Sequence, residues 1–184
     1  MTLPASLEGH EQARLFLGLP LPFDAVGRLV HWQQEHLRDV RIVEPAHLHV
    51  TLAFLGSTPV ARFAAIADAL AAAADGRGRP VLTVSRYRET RSVAMLVLDD
   101  LEGRATQLAE DLHGRLERLG VYERERRAWL AHLTVARFRR PPKLKPEVSD
   151  LGAVSPSEAA VYLSRLRPGG AQYEILKSVA LGGK

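Results

Sequence analysis

The sequence predicts an α+β fold built largely from antiparallel strands, and three observations support this prediction. Segments with the apolar patterns of strands and of helices alternate along the chain, and the strand-like segments outnumber the helical ones. Several consecutive strands are separated only by short polar or glycine-containing turns, as in antiparallel hairpins. No linker or low-complexity tract interrupts the 184 residues. We therefore expect a single domain over residues 1–184.

The first half of the chain predicts a strand, a helix, a histidine-bearing strand and a second helix. Residues 13–21 form an apolar segment that two prolines close, and we expect the opening strand there. Apolar residues recur at helical spacing over residues 23–38 and again over 63–74, where the sequence DGRGRP ends the second helix. Between these helices, residues 46–56 (AHLHVTLAFLG) have the apolar character of a strand.

The second half predicts one more helix and a second histidine-bearing strand. A stripe of leucines over residues 101–119 predicts the helix, with Asp100 as its N-cap and Gly120 beyond its end. The segment LAHLTVARF repeats the pattern His-x-Thr-aliphatic of the first half, which indicates a pseudo-twofold organisation. The strands predicted in this half cover residues 81–87, 93–98, 130–138 and the two segments that flank the turn RPGG.

Composition limits the possible chemistry. The sequence contains no cysteine, which excludes disulfides, thiolate nucleophiles and cysteine-ligated metal centres. No run approaches the roughly 20 apolar residues of a membrane span, and the N-terminal segment lacks the pattern of an export signal. We therefore expect a cytoplasmic monomer without a membrane partner. The net charge of +4 and the excess of arginine over lysine suit an anionic partner, although a compositional bias towards arginine would give the same charge.

Two pairs of residues, one in each histidine-bearing strand, are placed to act on a phosphate ester. Because residues two apart in a strand share a face, His49 and Thr51 point the same way, as do His132 and Thr134. One histidine can take a proton from the attacking group while the other gives a proton to the leaving oxygen. The threonine hydroxyls can hold the non-bridging oxygens. One His-x-Thr strand alone is more often structural, but two favour a catalytic site.

Two other functions fit the same residues. His47 and His49 have the spacing of zinc ligands on a strand, and His132 could complete a three-histidine metal site, although neither motif contains a carboxylate. The chain could also be an RNA-end-binding protein that has lost turnover. The presence of both histidines and both threonines argues against such a loss.

Other residues give weaker indications of contact with RNA. Phe54 and Tyr173 could stack on a base, and the segment ERERR with the basic residues after the second motif could follow an RNA backbone. Charged loops are more often solvated, and aromatic residues are more often part of the core. The remaining histidines have no partners at the spacing of a site, so we assign no role to His10, His31, His36 and His113.

The two motifs and the segments around them resemble the RNA 2′,3′-cyclic phosphodiesterases, also known as 2′-5′ RNA ligases, of the two-histidine (2H) phosphoesterase superfamily. RLFLGLPLP resembles the family's opening strand, HLHVTLAFLG its first signature, AHLTVARF its second and YLSRLRPGGAQYEIL its closing hairpin. The resemblance covers most of the chain. It departs from the family at Ala131, where proline is common, and at His47, where asparagine is common.

The resemblance implies a bilobal fold in which two largely antiparallel sheets with flanking helices surround a central cleft. It also implies hydrolysis of a terminal 2′,3′-cyclic phosphate on RNA to a 2′-phosphate, without metal or cofactor. We expect His132 to act as the base on water and His49 as the acid on O3′, an order that the sequence does not fix. The reverse reaction would form 2′-5′ linkages weakly.

The same resemblance assigns the phosphate-binding residues. Thr51 and Thr134 match the threonines of the two motifs, and Arg137 matches a basic residue that closes the second motif. Strict strand alternation would turn Arg137 away from His132. We therefore expect a strand end or a β-bulge between them.

Overall fold

The described part of the chain comprises residues 2–149, 151–168 and 170–182 of a computed structural model, and it contains nine strands and three α-helices. Short 3₁₀ turns lie at Ala5–Leu7, Pro45–His47 and Val60–Arg62. The helices are α1 (Phe23–His36), α2 (Phe63–Ala74) and α3 (Arg104–Arg118). The strands are β1 (Gln12–Pro20), β2 (Arg41–Ile42), β3 (His49–Pro59), β4 (Leu82–Glu89), β5 (Val93–Asp100), β6 (His132–Arg137), β7 (Ala153–Val154), β8 (Glu158–Arg167) and β9 (Gly170–Ala180).

All of these strands belong to one curled, antiparallel sheet. Eight of them follow the order β7-β4-β5-β6-β3-β1-β8-β9, and β2 pairs with β6. The pairing between the two central strands is short, because β3 and β6 meet at the single register pair Val50–Leu133. The predicted α+β class with antiparallel strands is confirmed. The two sheets that we expected are joined at this junction into one.

The two faces of the sheet have different surroundings. Side chains of alternating residues, such as Leu15 and Leu17 of β1, Val50 of β3 and Leu133 of β6, are fully buried in the main core with the apolar faces of the helices. Burial contributes about 1.5–3 kcal/mol for each such side chain, and a slip by one residue would expose all of them. This core face therefore fixes which residues of β3 and β6 point to the opposite face.

The third helix begins later than the leucine stripe predicts. α3 starts at Arg104, and Leu101 is 65% exposed rather than buried with the later leucines. The N-cap is Gly103 rather than the predicted Asp100, which ends β5. Asp100 still stabilises the start of the helix, because its Oδ2 accepts hydrogen bonds from the amide and the hydroxyl of Thr106, at 2.7 and 2.9 Å. Gly120 has a φ of 67° beyond the end of the helix, as a glycine in this position predicts.

The first histidine-bearing strand begins later than predicted. Pro45 starts a 3₁₀ turn, in which the amide of His47 donates to the carbonyl of Glu44 at 2.9 Å. β3 itself begins at His49. The prediction that His47 lies on the strand is therefore wrong.

The closing hairpin is present, with β8 and β9 paired from Glu158–Ala180 to Arg167–Gly170. Its predicted turn RPGG includes Gly169, which lies outside the described residues. Within the described ranges, no helix is long and apolar enough to cross a membrane.

Candidate active site

The two His-x-Thr pairs lie side by side where β3 meets β6. The strands are antiparallel and pair at the residue between each histidine and its threonine. His49 therefore lies across from Thr134, and Thr51 lies across from His132. Opposed Cβ atoms on such a pair are about 4.5–5.5 Å apart, and diagonal ones about 7–8 Å. The four side chains thus form a square, in which the two histidines occupy one diagonal and the two threonines the other.

Both imidazoles are held in the same tautomer by the backbone. His49 Nδ1 bonds to the carbonyl of His47 at 2.7 Å, and His132 Nδ1 bonds to the carbonyl of Leu130 at 2.9 Å. A carbonyl oxygen only accepts, so each Nδ1 is the donor. In the neutral ring the lone pair is then on Nε2. His49 Nε2 lies 3.1 Å from Thr51 Oγ1, whose hydroxyl donates to it.

Each of the two strands contains a β-bulge directly after its threonine. In β6, Thr134 and Ala136 pair with consecutive residues of β5, so Val135 is the extra residue. In β3, Leu52 is the corresponding extra residue against β1, and Leu55 is the extra residue of a second bulge further along the strand. The pattern of burial along the first six residues of β3 is the same as that along β6. The pseudo-twofold similarity therefore extends beyond the sequence motif to the local backbone.

The bulges turn Arg137 and Phe54 onto the face that carries the histidines. Strict alternation would direct Arg137 away from His132, and one extra residue reverses that alternation. Arg137 lines the same cavity as His49 and Thr134. Phe54 occupies the equivalent position of β3, lines this cavity and is 49% exposed. Of the two features expected before Arg137, a strand end or a β-bulge, the structure thus contains the bulge.

The cavity beside His49, which we call the first cavity, has a volume of about 400 Å³ and a cationic wall. Arg14, Arg41 and Arg137 line it, and no carboxylate is among the described residues of its wall. Arginine binds phosphate oxygens in a bidentate manner, and clustered positive charge attracts anions. The cavity therefore suits a phosphate ester. Its wall also includes His47, His49, Thr51, Thr134 and Tyr173.

A second cavity of about 310 Å³ adjoins the first and borders His132. Thr51 and Phe54 line both cavities. His49 and Thr134 line the first, whereas His132 lines the second. A phosphate that both imidazoles reach must therefore lie at the boundary between the cavities, beside Thr51.

Known proteins resemble this chain in sequence and fold. Residues 19–92 match the family model of LigT-like phosphoesterases. An RNA 2′,3′-cyclic phosphodiesterase of Methanocaldococcus jannaschii is 23% identical over 177 residues, which are 89% of this chain and 98% of that protein. E. coli LigT in complex with 3′-AMP is 25% identical, with a TM-score of 0.73 over 93% of this chain and 98% of that one. The chain contains a LigT-like phosphoesterase domain. A structure from Thermus thermophilus is 26% identical, with a TM-score of 0.79 over 93% of this phosphoesterase and 99% of that chain.

The phosphoesterase encloses His49 in aromatic rings. The centroids of Phe16, Tyr173 and Tyr162 lie 4.8, 5.4 and 5.6 Å from that of the imidazole. Burial in these surroundings lowers the pKa of His49 from 6.5 to about 4, and the nearby cationic groups contribute in the same direction. The hydrogen bond to the carbonyl of His47 opposes this shift. At neutral pH the free enzyme therefore holds His49 uncharged, with its Nε2 lone pair directed at the site.

We expect the imidazole nitrogens of His49 to titrate near pH 4 in a ¹⁵N NMR experiment on the free enzyme, with the proton of the neutral ring on Nδ1. Replacing Phe16 by Ala should raise this pKa towards 6.5, because water then reaches the ring. Titration of His49 near 6.5 in both proteins would contradict the effect that we ascribe to the aromatic rings.

The alternative metal site with His47, His49 and His132 is not formed. His47 lies in the 3₁₀ turn before β3, and its ring packs on Tyr173 at 4.8 Å between centroids. His49 Nδ1 and Nε2 are both engaged in the hydrogen bonds described above. In the part of the chain that the structure describes, no three histidine, aspartate or glutamate side chains are grouped so that they could hold a metal ion.

The two aromatic candidates differ in their surroundings. Tyr173 packs on His47 and on Phe16, and its ring meets that of His49 edge-on, so it forms part of the wall around the histidine. Phe54 is contacted by the guanidinium of Arg14, 4.7 Å from its ring centroid, and stands between the two cavities. Phe54 is therefore the more accessible of the two for a nucleobase.

Sequence reasoning missed the residues that surround His49. Phe16 and Tyr162 come from β1 and β8, far from either motif, and only the strand order brings them to the imidazole. One signal was available in Gly18, because a glycine inside a strand often marks close approach of another group. A Cβ at Gly18 would lie 2.9 Å from the carbonyl oxygen of Val50 and 3.4 Å from His49 Cδ2.

Proposed function

We propose that this phosphoesterase is an RNA 2′,3′-cyclic phosphodiesterase that opens a terminal cyclic phosphate with water and leaves a 2′-phosphate. The observation that carries the proposal is the square of two imidazoles and two hydroxyls on one face of the β3–β6 junction. Each imidazole presents Nε2 because its Nδ1 donates to the backbone. This arrangement provides two proton-transfer groups and two hydrogen-bond donors for one phosphorus atom.

The reaction balances with these groups alone. His132 Nε2 takes a proton from water as its oxygen bonds to phosphorus, and the bond between phosphorus and O3′ breaks. Protonated His49 gives its Nε2 proton to O3′, so that the products are a 2′-phosphate and a free 3′-hydroxyl. A net exchange of protons with solvent restores both histidines. In the reverse direction, a 5′-hydroxyl in place of water would form a 2′-5′ linkage weakly.

Phosphate binding would come from Thr51, Thr134 and Arg137. The threonine hydroxyls lie on the second diagonal of the square, so both can donate to non-bridging oxygens. In the free enzyme the Thr51 hydroxyl donates to His49 Nε2, and a bound phosphate oxygen would replace Nε2 as its acceptor. The Arg137 guanidinium adds a charge that is always present. A cyclic phosphodiester carries one negative charge, which these donors can offset.

The low pKa of His49 bears on the order of the two histidines. As the acid, His49 must acquire a proton that it lacks in the free enzyme at neutral pH. A bound phosphate anion favours the charged imidazole and would raise this pKa. In the NMR titration above, 2′,3′-cyclic AMP bound to a His132→Ala variant should raise the pKa of His49 well above about 4. An unchanged pKa would support the opposite order, with His49 as the base.

The positions of the arginines support an RNA substrate rather than a mononucleotide alone. Arg41 and Arg137 line the first cavity and also an open groove that continues to Arg139 and Arg140. Phosphates upstream of the cyclic end could follow this groove, while Phe54 stacks on the terminal base. The named activity of the M. jannaschii relative and the 3′-AMP bound by E. coli LigT agree with such a ligand. We place this activity in the cytoplasm, in a monomer with a single bilobal domain.

The experiment that tests the proposal is hydrolysis of an oligonucleotide ending in a 2′,3′-cyclic phosphate, in the presence of EDTA. We expect full activity and a product that carries only the 2′-phosphate, because no step uses a metal. Loss of activity in EDTA and its recovery with zinc would establish a metal-dependent enzyme. Binding of the oligonucleotide without turnover would establish an RNA-end-binding protein. Either result would overturn the proposal.

A further inference from the structure

Two buried polar side chains hold the two bulges at corresponding points. Gln33 of α1 is 1% exposed, and its Nε2 donates to the carbonyl of Val135 at 2.8 Å. His113 of α3 is 5% exposed, and its Nε2 donates to the carbonyl of Leu52 at 2.8 Å. Val135 and Leu52 are the extra residues of the bulges in β6 and β3. Each bulge carbonyl therefore accepts a hydrogen bond from a helix.

The physical need for these donors follows from the bulge itself. An extra residue interrupts the hydrogen-bond ladder, and a buried carbonyl must be satisfied by some other donor. In β6 this need is met by two donors, Gln33 Nε2 and the amide of Val43, and Gln33 also donates to the carbonyl of Val43 at 3.1 Å. The amide of Val43 in turn donates to the carbonyl of Val135 at 2.9 Å. Gln33 thus ties the bulge both to α1 and to the segment after β2.

We propose that Gln33 and His113 are positioning residues that fix these bulges and thereby direct Arg137 and Phe54 into the cleft. The inference rests on the phosphate-binding role proposed above for Arg137. Without the extra residue at Val135, alternation would direct Arg137 to the core face. The side chain that stabilises the bulge therefore controls where the guanidinium lies.

The similarity of the two halves argues against a coincidence. Gln33 and His113 differ in residue type and lie on different helices, yet each places an Nε2 donor on the carbonyl directly after the threonine of a motif. Another buried polar side chain, Thr58 of β3, does not bond to either bulge carbonyl. Thr58, at 2% exposure, donates its hydroxyl to the carbonyl of Gly56, which lies further along β3.

The test uses Gln33→Met, which keeps the length and much of the volume of the side chain. It removes both hydrogen bonds that Gln33 Nε2 donates. We expect the KM for 2′,3′-cyclic AMP and the Kd for inorganic phosphate each to rise by about tenfold to a hundredfold, because a small misplacement of a binding group costs about this much. kcat should fall less, since His49 and His132 are not moved. In an Arg137→Ala background, the same change should alter KM by less than about twofold.

The matched control is Trp32→Phe, at the neighbouring position of α1. Its indole Nε1 donates to the carbonyl of Glu147 at 2.7 Å, away from the bulge. The variant removes a hydrogen bond from the same helix and should leave KM unchanged. If Gln33→Met and Trp32→Phe change KM equally, or if Gln33→Met and Arg137→Ala act independently, Gln33 is only structural and the proposal is wrong.

Two further measurements keep the test decisive. Should Gln33→Met not fold, Gln33→Asn retains an amide that is too short to reach both carbonyls, and the same coupling to Arg137→Ala is expected. Should the wild-type enzyme not hydrolyse cyclic phosphates, the proposed function fails, while the Kd for inorganic phosphate still decides the role of Gln33 with the same outcomes.

The second bulge gives an independent comparison. Glutamine performs in β6 the task that His113 performs in β3, so His113→Gln should retain the donor and keep KM near the wild-type value. His113→Leu removes the donor and should raise KM, and this effect should disappear in a Phe54→Ala background. Equal effects of the glutamine and leucine variants would show that the hydrogen bond to Leu52 does not position Phe54.

Discussion

His49→Ala and His132→Ala should each reduce hydrolysis of a 2′,3′-cyclic phosphate by about 10²-fold or more, since acid–base assistance contributes about 10²–10⁴. The double variant should lose much less than the product of the two single losses, because the groups act as a unit. The measurement is kcat/KM for 2′,3′-cyclic AMP with each purified variant. Thermal unfolding of the same samples checks that the fold is retained.

The matched control for the histidine variants is His31→Ala. His31 is exposed on α1 and lies outside both cavities of the site. The His31→Ala variant should retain wild-type activity. This result would show that loss of an imidazole outside the site does not reduce hydrolysis. Full activity of either His49→Ala or His132→Ala would mean that catalysis does not need a pair of histidines.

Thr51→Ala and Thr134→Ala should give the next largest effects. Each removes one hydrogen-bond donor to a non-bridging oxygen, and loss of one such donor costs about 2.7–4 kcal/mol in a strongly dependent site. We therefore expect kcat to fall by up to roughly a hundredfold. Thr51→Ser and Thr134→Ser keep the hydroxyl and should retain most of the rate. Steady-state kinetics on the four variants measures this difference.

Thr83→Ala, on β4 and outside both cavities, is the control for loss of a strand threonine. It should leave kcat unchanged. Wild-type rates in both Thr51→Ala and Thr134→Ala would show that the two hydroxyls are structural. The proposal that they bind the non-bridging phosphate oxygens would then be wrong.

The face that carries the two His-x-Thr pairs was predictable because it depends on the simplest property of a strand. Alternation places His49 with Thr51 and His132 with Thr134, whatever the rest of the fold does. The apolar residues between them pack into the core and secure that orientation. The role that the resemblance implies for Arg137 also called for a strand end or a β-bulge before it, and the structure contains a bulge. The orientation of the two His-x-Thr pairs is local, so one segment at a time is sufficient to predict it.

The features that the sequence did not predict depend on residues brought together from distant segments. Which residue of a strand is extra depends on the pairing of the neighbouring strand, and here also on buried donors from α1 and α3. His113 received no role from its position in the sequence, yet it bonds to Leu52, 2.8 Å away across the core. The low pKa of His49 likewise depends on Phe16, Tyr162 and Tyr173, which come from three other strands.

The error at His47 has a local cause. The pattern His-x-His followed by aliphatic residues is compatible with a strand, but Pro45 lacks an amide hydrogen and has a fixed φ. It therefore suits the start of a 3₁₀ turn, which ends at His47. The proline was a stronger signal than the spacing of the histidines. Without His47 on the strand, the case for a three-histidine metal site also loses its main support.

The dependence of kcat/KM on pH, measured in EDTA with 2′,3′-cyclic AMP, tests the two-histidine account most directly. This profile reports the pKa values of the free enzyme, and an acid and a base must be in opposite protonation states. The doubly protonated enzyme contains no base, and this form requires the buried His49 to accept a proton, which it does only below its pKa of about 4. The account predicts a bell-shaped profile with its acid limb near pH 4, rather than near the 6.5 of an ordinary histidine, and a shift of that limb to higher pH in Phe16→Ala. A profile with a single limb, or an acid limb that Phe16→Ala does not move, would contradict it.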